Sequence, residues 1–265
     1  MAKGLNQIKE KAILADLFVV ILDGRAPLLT YNKDFDKIAP HKPRLILISK
    51  IDVSDHLKLN RIAKQLANEN TDVLLVNLKL NSSKKLIMKK LDMFFYQKQK
   101  KQAHKGYVNS DLRVFVVGMP NSGKSTLINL LTGAKLKAAN SPGITKTNQW
   151  ISSGRFMFLD TPGILLPKLE NQEDAFKLVV ISAIKQEIFP LKFLFNRTYK
   201  LISNEYPNLI SDLALRPSQD DNEIDLNLKK LAKSKNFSTA KEDYDYNRAM
   251  NWFVNYIKNA KITLD

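Results

Sequence analysis

"GMPNSGKST", Gly118 to Thr126, decides how the chain is read. It follows the apolar run "DLRVFVV" and opens onto "LINLLTG", where apolar residues return at helical spacing. A G-x-x-x-x-G-K-[ST] pattern between a strand and a helix carries a mechanism. The glycines let backbone N–H groups close around phosphate oxygens, and the helix N-terminus turns its positive end toward them. Pro120, Asn121, Ser122, Gly123 and Thr126 are expected to line this cradle. Lys124 would reach β and γ phosphates, and Ser125 would hold Mg²⁺.

Working outward, "DTPG" at 160–163 ends the next apolar run, "RFMFLD". Asp160 is placed to hold the metal, directly or through water. Gly163 can offer its N–H to a γ-phosphate, because no Cβ blocks the approach. Between the two motifs lies "SPGITKT" at 141–147, whose Thr145 could complete the Mg²⁺ shell. Far upstream, "RLILISKID" runs from Arg44 to Asp52. A carboxylate directly after a buried strand can accept from the N1–H and the exocyclic amine of guanine together. Adenine lacks that donor pair and would be rejected by roughly 10⁴-fold. Asp52 takes this role, with the stem of Lys50 packed over the purine.

Short runs that are apolar on both faces mark further strands at Leu17–Leu22, after Pro43, and at 72–76. Helical patterns at 56–68, 83–102 and 124–132 alternate with the strands. This predicts an α/β domain over 1–168, with a mostly parallel sheet covered by helices on both faces. From 169 to 265 the strands stop, and four amphipathic stretches predict an all-helical C-terminal domain.

The 265 residues carry a net charge of +16 and no cysteine. Disulfides and Cys-based zinc or iron–sulfur sites are excluded, and a reducing, cytoplasmic setting is expected. No apolar run reaches the roughly 18 residues of a membrane span, so no membrane partner is expected. Residues 1–168 hold 28 Lys+Arg against 12 Asp+Glu, whereas 169–265 hold 14 of each. Nine lysines fall between Lys79 and Lys105 against one acid, Asp92. Ile87, Leu91, Phe94 and Phe95 would share the buried face of helix 83–102. Lys84, Lys85, Lys89, Lys90, Lys98, Lys100 and Lys101 would then face solvent or an RNA phosphate backbone.

In an ordinary small GTPase the phosphate loop comes first and the guanine motif later. Here Ser49–Asp52 leads, and "VNLK" at 76–79, with Asn77 and Lys79, stands in the place of the loop that backs the base. This order resembles the circularly permuted P-loop GTPases. "DGRAP", "GMPNSGKSTLINLL", "PGITKTNQW" and "DTPGILLPK" are similar to the ribosome biogenesis GTPase A family. The resemblance covers most of residues 1–185. It implies GTP hydrolysis coupled to late assembly of the large ribosomal subunit, with ribosomal RNA as the principal contact; GTP with Mg²⁺ as cofactors and a monomeric state are expected.

Three positions depart from the common pattern. Ser49 stands where Asn or Thr is usual, which predicts weaker nucleotide binding. Ile164 follows "DTPG" where many GTPases place a water-orienting glutamine. The resemblance implies that a histidine in an N-terminal Phe-Pro-Gly-His segment replaces it, but the sequence opens on "MAKG". His41, His56 and His104 are not at the matching place and are expected to be exposed. Either translation starts upstream or this form hydrolyses slowly without the ribosomal particle. The alternative function is a GTP-dependent RNA-binding switch. Asn121 resembles a residue that helps hold K⁺ beside the phosphates in potassium-activated GTPases, where the ion adds charge stabilisation.

Overall fold

The computed structural model describes residues 9–10, 12–103, 111–134, 149–161, 171–238 and 244–265. Among these, six strands form one sheet in the order β3-β2-β1-β4-β6-β5. They are β1 (Leu17–Asp23), β2 (Arg44–Ser49), β3 (Thr71–Leu75), β4 (Leu112–Gly118), β5 (Gln149–Ser153) and β6 (Phe156–Asp160). All neighbours run parallel except β5, which pairs antiparallel with β6 through Trp150↔Leu159 and Ile151↔Phe158. Five of these strands coincide with the apolar runs of the sequence. The sixth is a short edge strand closed by a turn at Gly154, whose φ of 58° suits glycine.

Every residue of β1 and β2 is buried, which explains their unbroken apolar runs. One face of the sheet, with Val19, Ile21, Leu45 and Val114, packs on helices α3 (Asn81–Ala103) and α4 (Lys124–Thr132). Ile87, Leu91 and Phe94 are the buried residues that α3 contributes, and Phe95 packs half-buried beside them. The opposite face, with Phe18, Val20, Ile46 and Phe115, is covered by Phe35, Ile38 and, from α2 (His56–Leu66), Leu59 and Ile62. Each fully buried large apolar side chain contributes about 1.5–3 kcal/mol. Before α2 comes a single turn, α1 (Pro27–Thr30). Asp55 caps α2 by accepting from the N–H groups of Leu57 and Lys58, worth about 1 kcal/mol. Gly133, at φ 74°, ends α4 with its N–H on the Asn129 carbonyl.

The chain divides into two compact units. Unit 1 is Met1–Asp174 together with Thr263–Asp265, and unit 2 is Ala175–Ile262. The helices α5 (Gln172–Val180), α6 (Leu191–Glu205), α7 (Pro207–Ser211), α8 (Asp221–Ser234) and α9 (Tyr246–Lys258) make up the C-terminal region, all but the start of α5 within unit 2. Unit 2 packs around Phe195, Tyr199 and Phe253, with ring centroids 5.3–5.9 Å apart. The buried Asn227 accepts from the Arg216 N–H and donates to its carbonyl, so a polar core residue is satisfied on both sides. Among the described residues no helix is long and apolar enough to cross a membrane.

Candidate functional site

β1, β2, β4 and β6 run parallel, so their carboxyl ends lie along one edge of the sheet. Asp23, Ser49, Gly118 and Asp160 terminate these strands. β2 lies on one side of β1 and β4 on the other, which creates a topological switch point between β1 and β4. Ligands of open α/β sheets bind in the crevice outside such a point. The residues expected to read guanine and to hold phosphate thus meet from opposite halves of the sheet.

The phosphate loop leaves β4 at Gly118, where φ is 156° and an added Cβ would stand 2.6 Å from the Ile21 carbonyl. Asn121 and Gly123 are also left-handed, with φ of 59° and 109°. Turns of this kind are the backbone from which anion-binding nests are built. Lys124 is buried, and its ammonium donates to the carbonyls of Met119 (2.7 Å) and Gly118 (3.0 Å). It sits at the root of the loop, from which a lysine stem reaches the phosphates. Ser125 and Thr126 occupy the first turn of α4. The side chain of Ser122 is buried and donates to the Met119 carbonyl. Pro120 is half-buried at the loop entrance.

The turn expected to read the base begins at Ser49. Its hydroxyl lies 2.9 Å from both the Leu22 and the Ser122 carbonyls. The short side chain therefore still spans the gap to the phosphate loop, with a single proton to share. Lys50 is left-handed at φ 58°. Its ammonium bonds the Asp23 carboxylate at 2.6 Å and the Asn121 carbonyl at 3.0 Å. Asp52 pairs with Lys79 at 2.9 Å. It does not cap α2, since Asp55 does. Asn77 shapes the adjoining loop by accepting from the Lys79 N–H, and Leu78 of that loop faces Gly123, where an added Cβ would stand 3.1 Å from Leu78 Cδ1.

Asp23 and Arg25 were missed as site residues by reasoning from residue chemistry alone. Apart from the "DGRAP" resemblance, the signal was an acid at the end of a buried strand. Asp23 is held by Arg25 at 2.7 Å and by Lys50. Burial by itself pushes its carboxyl up, but the charges and hydrogen bonds of Arg25 and Lys50 outweigh this and hold it well below the usual carboxylate range. Burial pulls the Lys50 ammonium below the ordinary lysine value, with Asp23 opposing.

The three expected Mg²⁺ ligands stand differently. Ser125 is in place at the helix start. The backbone of Asp160 ends β6 opposite Val116, so it shares the carboxyl edge, and the buried Thr161 hydroxyl fixes that end on the Val116 carbonyl at 2.7 Å. The Asp160 side chain, Thr145, Gly163 and Ile164 lie outside the described residues, as does His104. His41 and His56 are exposed, as expected. The phosphate loop, the buried Lys124 and the Asp52 carboxylate at the neighbouring turn form an arrangement of the kind a guanine nucleotide requires.

Comparisons with known proteins agree. A family model described as "50S ribosome-binding GTPase" matches residues 113–232. The Bacillus cereus "Ribosome biogenesis GTPase A" is 33% identical over 214 residues, covering 80% of this chain and 72% of the relative. The Mycoplasma pneumoniae "Probable ribosome biogenesis GTPase A" is 32% identical over 264 residues, covering 98% and 91%. The fold matches GDP-bound TM YlqF at a TM-score of 0.68 over 98% of both chains, with 23% identity. It also matches GNP-bound YlqF from T. maritima at 0.64 over 97% and 93%, with 24% identity.

Proposed function

The chain belongs to the ribosome biogenesis GTPase A family, and from that premise we propose that it is a GTP-hydrolysing assembly factor of the large ribosomal subunit that grips ribosomal RNA in a nucleotide-dependent way. The observation that carries the nucleotide part is the junction of the two half-sites. Ser49 and Lys50 both bond carbonyls of the phosphate loop, at Ser122 and Asn121. Base and phosphates are thereby read by one connected rim.

In this reading Asp52 accepts from guanine, Lys124 and the loop N–H groups hold the β and γ phosphates, and Ser125, Asp160 and Thr145 hold Mg²⁺. The metal supplies charge neutralisation between the phosphates when bound. Gly163 and Thr145 sense the γ-phosphate. Asn121, already left-handed in the loop, is the residue through which K⁺ would act.

The RNA part rests on α3. Lys85, Lys89, Lys100 and Lys101 are exposed along it, whereas Lys90 is paired with Asp72 at 3.0 Å and Lys98 with Asp16 at 2.7 Å. The phosphate-contacting stripe is therefore narrower than the lysine count alone suggests. The cytoplasm is the compartment where such a factor would work.

The test is GTP turnover by the purified chain in K⁺ and in Na⁺, with and without large-subunit precursors. Stimulation by the precursors is expected. Turnover that the precursors leave unchanged would overturn the assembly-factor reading. GTP binding with no turnover in any condition would leave a GTP-dependent RNA-binding switch.

A further inference from the structure

The turn that carries Lys50 and Asp52 is sewn to residues more than two hundred positions away. The Thr263 hydroxyl donates to the Gly24 carbonyl at 2.8 Å and accepts from the Asp55 N–H at 3.1 Å. Thr263 is fully buried. Its own carbonyl accepts from the Lys58 ammonium at 2.8 Å. The next residues continue the seam. The Leu264 N–H donates to the Arg25 carbonyl at 2.7 Å, and the Asp265 carboxylate accepts from the N–H groups of Leu28 and Leu29.

Gly24 is also where β1 meets the base-reading turn. Its N–H donates to the Ser49 carbonyl at 2.9 Å, and a Cβ there would stand 2.6 Å from that same oxygen and from Ser54 Oγ. Ser54 in turn donates to the Lys50 carbonyl at 2.9 Å. The turn from Ser49 to Asp55 is therefore fixed at its start by Gly24, in its middle by Ser54 and at its end by Thr263. A left-handed lysine persists only where its surroundings over-determine it. Here one hydroxyl closes the frame by joining Gly24 to Asp55.

We propose that Thr263 is a positioning residue for guanine recognition: its hydroxyl locks the Ser49–Asp55 turn to Gly24 and so sets where the Asp52 carboxylate stands. It touches no nucleotide. The proposal rests on the reading of Ser49–Asp52 as the guanine-binding turn.

Fluorescent GDP and IDP are used with the full chain, measuring dissociation rates and equilibrium affinities beside thermal unfolding. IDP lacks the exocyclic amine, so the GDP-to-IDP ratio reports the contact that Asp52 makes. Thr263→Val is expected to weaken GDP binding about tenfold, because a buried N–H loses its acceptor, and to shrink the GDP-to-IDP ratio. Thr263→Ser, which keeps the hydroxyl, is expected to restore both. Should Thr263→Val fail to fold, Lys58→Met frees the Thr263 carbonyl from the solvent side. It is expected to move the ratio the same way by about twofold.

Equal losses of GDP and IDP, or an unchanged ratio in the folded variants, would overturn the proposal and leave Thr263 with a purely structural role. Asp52→Asn with XDP separates the underlying reading. A switch from guanine to xanthine upholds the turn's role whatever Thr263 does. No switch, or no guanine preference in the unaltered chain, overturns the turn reading and the Thr263 proposal together.

Discussion

The Lys50 ammonium sits 2.6 Å from the Asp23 carboxylate, and the same carboxylate holds Arg25 at 2.7 Å. One buried acid at the end of β1 thus serves two cations, and one of those cations also bonds the phosphate loop. Removing that acid leaves the buried Arg25 and the half-buried Lys50 facing each other without a counter-charge.

Asp23→Asn is therefore expected to destabilise the chain by about 3–5 kcal/mol, the usual cost of breaking a buried ion pair from one side. Urea unfolding measures it. The sign of the pH dependence follows from the depressed carboxyl. The stability from Asp23 is fully present above about pH 4, the unfolded carboxylate value, and is lost as pH falls through the lower folded value. A stability profile that is flat below pH 4 would contradict this.

At the alkaline end, Lys50 gives up its proton below the ordinary lysine value because burial disfavours its charge. GDP affinity is expected to fall as pH rises toward that lowered value. In Lys50→Arg, which stays charged throughout, the part of the decline that comes from Lys50 should disappear, leaving the loss caused by deprotonation of the guanine N1–H.

Asp52→Asn is expected to weaken GTP binding by at least 10²-fold and to admit xanthine nucleotides. By contrast, Lys79→Ala should change stability by less than about 1 kcal/mol, since the Lys79–Asp52 pair is solvent-exposed. Titration with both nucleotides and thermal melts of both variants check the pair of outcomes.

Replacing Lys85, Lys89, Lys100 and Lys101 by Ala should weaken binding to ribosomal precursors and lower the slope of log affinity against log salt by about one for each lysine that touches phosphate. Lys90→Ala and Lys98→Ala should cost stability instead, because those ammonium groups hold Asp72 and Asp16. Co-sedimentation across a salt series distinguishes the two sets.

Much of this was legible in the residues because strands buried on both faces write themselves as unbroken apolar runs. "LFVVILD" and "RLILIS" are buried at every position. The phosphate loop was legible because only glycine tolerates the backbone of Gly118 and Gly123. β5 was not, because "QWISS" is a five-residue edge strand with too few alternations to outweigh its polar residues. Asp23 and Arg25 were seen only as part of a family motif, since an ion pair two residues apart has no periodicity. The seam at Thr263 left no signal at all, because a hydroxyl bridging two backbone groups depends on a meeting that no local pattern encodes.

That seam also sets an order of events in the life of the chain. The Thr263–Gly24 bond closes across 239 positions, so it forms only after the whole of unit 2 has been made. During synthesis the phosphate loop and its helix can assemble early from neighbouring segments. The clasp on the Ser49–Asp55 turn comes later, because Thr263 follows unit 2 in the chain. A nascent chain would then form its phosphate loop before the Ser49–Asp55 turn is clasped at Thr263.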